Sequence, residues 1–401
     1  MEKTLVYQLY PIAWEEEGGL SAMRRHLYHV SELGANYVWF SPLYPSPRCD
    51  HGYDVADYMA IDSRFGTMAD FDYFVETAHR LGIKVLMDLV LNHVSVEHEW
   101  FQNSAFRKKF FWWFQEDHPG WKNHFNGGPA LKYLEEEQAF YFHSFDEGQA
   151  DLKLFPNGPD GDVNWELVKQ FHGIIDFWIQ EHGVDGFRLD IPQSINKDFS
   201  DDDFTLESVL YGDQAVGVLN ALFGNTDCFL MMECFDPSMG ELTEYYLDET
   251  PVDFVCNVLL KDEFGPDIVN SFDLVSRQAQ NPHFMLDLES HDSQRFLSRG
   301  VSLQDELWYL FDSGASAICL YQGQELGLLN PTRDELPNEL MLALDTQAAM
   351  RYANSENPDD FWPCRAATRV PLPSEEYYRQ KQDPNSCFNL FKEAIHTWRQ
   401  S

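Results

Sequence analysis

Four apolar runs of this chain end on groups that could do chemistry: Asp88 with Asn92 and His93, Arg188 with Asp190, Glu233, and His291 with Asp292. The stretch GVDGFRLDIPQS, residues 183–194, poses the question most sharply. Side chains two apart on a strand share a face, so Arg188 and Asp190 sit together inside an otherwise apolar run. A buried ion pair often costs more to desolvate than its attraction returns, so stability is a poor reason to keep one. Function supplies a better reason. A carboxylate that attacks carbon must stay ionised at neutral pH, and a neighbouring guanidinium lowers its pKa and holds its orientation. Three carboxylates brought to one cleft suit glycoside chemistry: one attacks the anomeric carbon, a second protonates the leaving oxygen, and others steady an oxocarbenium-like transition state. Each group alone has a plainer account, since acids cap βα junctions and a lone histidine more often serves structure.

The elements that must position these groups form a βα rhythm. Eight β-like runs, LVYQLY (5–10), NYVWFS (36–41), KVLMDLVL (84–91), GFRLDI (186–191), CFLMMECF (228–235), DFVCNV (253–258), HFMLDLES (283–290) and SAICLYQG (316–323), alternate with helical stretches such as 20–33, 68–81 and 164–181. That count predicts an α/β fold, a (β/α)8 TIM barrel, whose reactive groups sit at the carboxyl ends of its strands. The rhythm breaks between 92 and 163, where aromatics, Gly, Asn and His crowd the chain. An interruption of that length predicts a small subdomain inserted after the third strand, dividing the barrel into residues 1–91 and 164–401. A connection over 330–375 with a helix near 337–352 precedes the last helix, CFNLFKEAIHTWRQS, and no C-terminal β-sandwich is expected.

Composition excludes several classes. The 28 basic and 66 acidic residues of the 401 leave a formal charge of -38, which repels phosphate backbones and anionic bilayers. Neither a nucleic-acid nor a membrane partner is expected. The densest basic cluster, Arg107 to Lys109, is too small to reverse that. No apolar run reaches the roughly 18 residues of a span, and the start MEKTLVYQLY lacks a signal peptide's pattern, so a cytoplasmic protein is expected. Seven cysteines without a CxxC pair fit reduced thiols.

The stretches DLVLNH (88–93), GFRLD (186–190), MECF (232–235) and SHDSQR (290–295), following YQLYP (7–11), resemble the signature regions of the α-amylase superfamily, glycoside hydrolase family 13, over essentially the whole chain. The resemblance implies Asp190 as nucleophile, Glu233 as general acid/base and Asp292 as the carboxylate that grips the sugar, supported by His93, Arg188 and His291. FDEGQADLK (145–153), CDHGYDVADY (49–58) and RAATRVPL (365–372) are similar to the oligo-1,6-glucosidase and α-glucosidase branch. That likeness implies Asp50 and Arg369 on a terminal glucose, as a salt bridge closing the pocket, with Tyr53 stacked beneath it and Phe145 and Gln149 lining it. A closed pocket admits only a chain end, which implies an exo-acting retaining α-glucosidase on short oligosaccharides. Ile191, after the nucleophile, leans toward α-1,6 linkages on this likeness, or is simply a strand residue.

Two departures qualify the likeness. PIAWEEEGGLSAM (11–23) lacks the alternating oxygen ligands of a calcium loop, so neither metal nor cofactor is expected, and Asn92 alone does not establish a site. IPQSI after Asp190 leaves the acceptor open, and with it a glucosyl transferase, phosphorylase or sucrose isomerase-like activity. A non-catalytic sugar-binding scaffold is the reading from another class, disfavoured because all three acids are present. Self-association into a homo-oligomer is left open.

Overall fold

The computed structural model describes residues 3–124, 127–155, 163–200, 202–204, 207–210, 212–238, 240–259, 275–332, 335 and 368–401. The helix expected near 337–352 and residues 365–367 of the RAATRVPL loop lie outside the described residues. The strands in chain order are β1 (Thr4–Leu9), β2 (Tyr37–Phe40), β3 (Lys84–Val90), β4 (His93–Ser95), β5 (Trp113–Phe114), β6 (Leu131–Leu134), β7 (Ala139–Phe142), β8 (Gln149–Asp151), β9 (Gly186–Asp190), β10 (Phe229–Cys234), β11 (Phe254–Asn257), β12 (Met285–Leu286) and β13 (Ala317–Tyr321). Eight of them form one parallel sheet in the order β11-β10-β9-β3-β2-β1-β13-β12. A parallel bridge between Val255 and Phe284 joins its two edges, completing a TIM barrel.

The barrel interior is layered. Val6, Trp39, Leu86, Met231, Met285 and Ala317 share a buried apolar cluster inside the sheet. Two residues further along β1, β3 and β10, the same face carries Gln8, Asp88 and Glu233, all buried. The apolar layer seals the floor and the polar layer above it faces the carboxyl end. On β9 the alternate residues Phe187 and Leu189 belong to the outer core, which leaves Gly186, Arg188 and Asp190 for the inside. Gly186 is required there: a Cβ would lie 2.0 Å from the Phe229 carbonyl oxygen of the adjoining strand.

Local signals account for the outer helices. Thr67 and Asp70 form a reciprocal capping box at the start of the helix Met68–Arg80. The helix Leu20–Leu33 ends on Gly34, whose φ of 86° is a left-handed stop. The stretch 164–181 begins on an Asn164 cap but is α-helical only over Trp165–Asp176, finishing in a π turn, Phe177–Glu181. The run HFMLDLES was expected as a strand through Ser290, and beyond the Phe284 bridge only Met285 and Leu286 join the ladder, pairing with β13. Beyond them Glu289 accepts from the Phe296 N–H at 2.6 Å and from Arg295 at 2.7 Å, while the Ser290 N–H turns to Ser293 Oγ at 2.8 Å. These side-chain bonds take the place of the ladder.

Between β3 and the helix Trp165–Asp176 lie two small antiparallel sheets, β4 with β8 and β5-β7-β6. The basic cluster there is neutralised: Arg107 pairs with Glu136 and Glu137, Lys108 with Glu137 and Lys109 with Glu166. Among the described residues no helix is long and apolar enough to cross a membrane, and six cysteines are free thiols. The final helix, Cys387–Gln400, docks through Phe388, Phe391, Ile395 and Trp398, whose indole N–H donates to the Ala315 carbonyl at 2.8 Å.

Candidate active site

Parallel pairing sets β9 between β3 and β10, with Arg188 in register with both Asp88 and Met231. The guanidinium therefore meets carboxylates from both sides. Nη1 donates to Asp88 at 3.1 and 3.2 Å and to Asp190 Oδ1 at 2.5 Å, and Nη2 donates to Glu233 Oε2. The cation also lies 5.0 Å from the centre of the Trp39 ring and 5.8 Å from that of Tyr53. Charge-assisted bonds on one rigid fork fix the acids relative to each other.

Three carboxylates on one guanidinium cannot all ionise cheaply in a buried site. Burial pushes the Asp88 carboxyl up to about 7 against the pull of Arg188, with Glu233 adding to the rise. Burial likewise carries Asp190 well above the usual carboxylate range, Arg188 opposing and Glu233 and Asp88 reinforcing it. The sequence expectation that Arg188 sets Asp190 low is corrected here: its pull is real, and burial beside two like charges outweighs it. The protons belong to the cluster as a whole. Carboxyls that share protons in this way are an arrangement from which both an acid and a base can be drawn, as glycoside cleavage requires.

Asp292 enters from the loop after β12 and is the most open of the three acids, its side chain 33% exposed against 10% for Asp190 and Glu233. It pairs with Arg369 Nη2 at 2.6 Å and with His291 Nε2 at 3.1 Å. Arg369 Nε donates to the His291 carbonyl at 3.0 Å, anchoring both partners of that loop. The His291 ring stacks between Tyr53, centroids 5.5 Å apart, and Tyr10, at 5.6 Å. The Gln8 amide nitrogen approaches His291 Nδ1 at 2.8 Å, and Nε2 faces the Tyr53 hydroxyl at 2.8 Å. Tyr53 in turn donates to Asp88 at 3.2 Å, linking this loop to the Arg188 cluster.

The antiparallel register of β4 and β8 sets His93 opposite Asp151 and Ser95 opposite Gln149. Gln149 then bridges Asp50 Oδ2 and His93 Nε2, each at 3.0 Å from its amide nitrogen. Phe145, half-buried, rests 5.0 Å from the His93 ring. Burial lowers the His93 pKa, with Asp151 and Asp50 resisting, so the imidazole is neutral. At the same junction Lys197 Nζ lies 2.9 Å from Asp151 Oδ2 and 2.8 Å from Asn92 Oδ1, which commits those oxygens to an ammonium.

Ile191 is not a strand residue. The strand ends at Asp190, and Ile191 adopts φ 29° and ψ 59°, a positive-φ conformation that costs a β-branched side chain about 1–3 kcal/mol. The turn is held by Gln193, which donates to the Phe235 carbonyl at 3.0 Å and accepts from its N–H at 2.5 Å, tying the loop after Asp190 to the loop after Glu233. Gln193, Gln8 and Lys197 were not singled out from the sequence. A glutamine is unremarkable until its burial is known, and all three are 3% exposed or less.

Residues 11–396 match the family described as alpha amylase, catalytic domain. A probable oligo-1,6-glucosidase 3 of Bacillus subtilis is 37% identical over 211 residues, 49% of this chain and 36% of that protein. An alpha-glucosidase of Schizosaccharomyces pombe is 30% identical over 429 residues, covering 89% of this chain and 70% of that one. The crystal structure of the trehalose-6-phosphate hydrolase of Bacillus licheniformis superposes with a TM-score of 0.83 at 25% identity, over 100% of this chain and 84% of that one. The match to the Bacillus subtilis protein thus spans about a third of that relative's length.

Proposed function

The chain belongs to the alpha-amylase family, and from that premise we propose that it is a retaining, exo-acting α-glucosidase that removes terminal α-linked glucose from short oligosaccharides, with a lean toward α-1,6 linkages. The observation that carries the reading is the delivery of Asp190 and Glu233, from adjoining strands, onto the two terminal nitrogens of one guanidinium. Carboxyls held on a single fork stand close together, as attack by one of them requires, whereas an inverting pair must leave room for water at about 6.5–9.5 Å.

With the cluster's shared protons resting on Asp88 and Glu233, Asp190 is ionised and attacks the anomeric carbon as that carbon's bond to the leaving oxygen breaks, and Glu233 gives the leaving oxygen its proton. A covalent glucosyl ester on Asp190 results. Glu233, now ionised, takes a proton from water, whose oxygen displaces Asp190 from the same carbon. Two inversions leave the α configuration. Asp292 and Arg369 grip the glucose hydroxyls together with Asp50 and His93, while Tyr53 and Phe145 offer ring surface to the sugar. Residues 92–163 act as an inserted unit that walls the pocket through Phe145 and Gln149. A cytoplasmic location accords with the free thiols among the described residues.

Glucose release from isomaltose, maltose and sucrose, measured beside Asp190→Asn with the product anomer followed by proton NMR, tests the reading. α-Glucose from the parent and none from the variant is expected. First-formed β-glucose contradicts retention, and transfer to sugar or phosphate with no free glucose moves the chain to the transferase reading.

A further inference from the structure

A second buried cluster of titratable side chains lies outside the barrel wall, apart from the carboxylates described above. His26 and His29, three residues apart on the helix Leu20–Leu33, face Tyr7 of β1 and Glu325, which sits in a short turn after β13. His29 Nε2 is 2.6 Å from Glu325 Oε1, the Tyr7 hydroxyl donates to the same oxygen at 2.9 Å, and His26 Nε2 is 3.1 Å from that hydroxyl. The donor atoms of His26, His29 and Glu325 all lie within 4.8 Å of one another, and all three residues are buried.

The hydrogen bonds leave one nitrogen of this cluster without a match. One carboxylate oxygen receives both the Tyr7 hydroxyl and His29, while His29 Nδ1 is buried without a hydrogen-bond partner. Burial holds both imidazoles well below their ordinary pKa, so they are neutral and have lone pairs to offer. Two neutral imidazoles and a carboxylate are a donor set for a first-row transition ion, and a tetrahedral Zn2+ takes such ligands at about 2.0–2.2 Å. Glu325 is braced for the task, its Oε2 accepting from the Gly323 N–H at 3.0 Å. The cations that act on the cluster, Lys381 and Arg295, are themselves paired with Glu32 and Glu289. A surface pocket lined by Trp14, Ala22, His26, Leu326, Leu372 and Tyr377 supplies an entry path.

We propose that His26, His29 and Glu325 bind a divalent transition ion of the Zn2+ class, with a water entering from the pocket closing the fourth position. The ion pins the first helix to the seam where β1 meets β13, the first and last strands of the barrel. It is a structural ion, because its three ligands are buried outside the barrel wall, apart from the carboxylates at the strand ends.

The test uses the full chain, freed of metal with a chelator and titrated with Co2+ and then Zn2+. One equivalent of Co2+ is expected to develop the intense visible bands of a four-coordinate ion, and Zn2+ to abolish them. Zn2+ at a hundredfold excess over its dissociation constant is expected to raise the thermal midpoint by roughly 3 °C. His26→Gln, at the pocket edge, and His29→Gln lose both responses. Absence of the cobalt bands from the unmodified chain overturns the proposal even where a variant fails to fold. Bands and a thermal shift that both variants retain overturn it too, because the ion then sits on other groups.

Discussion

Two buried ionic clusters sit within the polar ends of this barrel and are built on opposite principles. At Arg188 one guanidinium serves three carboxylates, from Asp88, Asp190 and Glu233. At Lys197 one ammonium serves one carboxylate, Asp151, with Asn92 Oδ1 and the Ser194 carbonyl completing its shell. The first is over-acidic, and burial drives the pKa of Asp88 and Asp190 upward. The second is balanced: burial raises Asp151 too, but Lys197 and the hydrogen bonds from the Ser144 N–H and hydroxyl overcome it and hold its carboxyl below the usual range. A balanced pair locks a junction, here between β8 and the loop after β9. An unbalanced cluster stores protons, which serves chemistry rather than stability.

That contrast can be broken by experiment. The largest expected effect is on turnover: Glu233→Gln lowers glucose release from isomaltose by on the order of 10³-fold, with a smaller loss on an aryl glucoside whose leaving group needs no proton. Equal losses on both substrates count against Glu233 as the acid. Lys197→Met leaves Asp151 buried and unpaired and costs about 3–5 kcal/mol in denaturant midpoint measurements, and adding Asp151→Leu restores about 1–4 kcal/mol of it. If the double variant is no more stable than the single one, the junction is not a closed pair.

The two clusters also carry opposite pH signatures. A carboxyl whose folded pKa is raised from 3.8 to about 7, as at Asp88, keeps its proton in the native state while the unfolded chain loses it, so stability falls as pH rises through that window. At Asp151 the folded pKa is lowered, so its contribution is present above the unfolded pKa and is lost as pH falls through the folded one. Asp88→Asn is therefore expected to flatten the decline in thermal midpoint between pH 4 and pH 7, and an unchanged slope removes Asp88 from the account. The smallest effect is at Ile191, where Ile191→Ala is expected to lower the ratio of isomaltose to maltose turnover by about tenfold. An unchanged ratio leaves that side chain as a turn residue only.

Much of the site was legible because strand chemistry is local. In GFRLD the alternation that hides Phe187 and Leu189 in the outer core is the same alternation that turns Arg188 and Asp190 inward, and it needs no partner to be read. The eight apolar runs likewise announced eight barrel strands, each within a few residues of its observed span apart from the last part of HFMLDLES. That run misled because Glu289 and Ser290 found side-chain and turn partners that lie further along the chain.

What the sequence by itself determined, then, was the barrel and the acids at the strand ends, since both follow from periodicity and residue type. Tertiary structure alone decided which groups share protons. Asp88 and Glu233 are 145 residues apart and meet on Arg188 only because their strands flank β9. The β4–β8 register brings His93 to Gln149, and the same long-range packing sets Lys197 against Asp151 and two helical histidines against Glu325. Electrostatic character depends on distance and burial, which the fold supplies, and so the excess of acid at Arg188 becomes visible only in three dimensions.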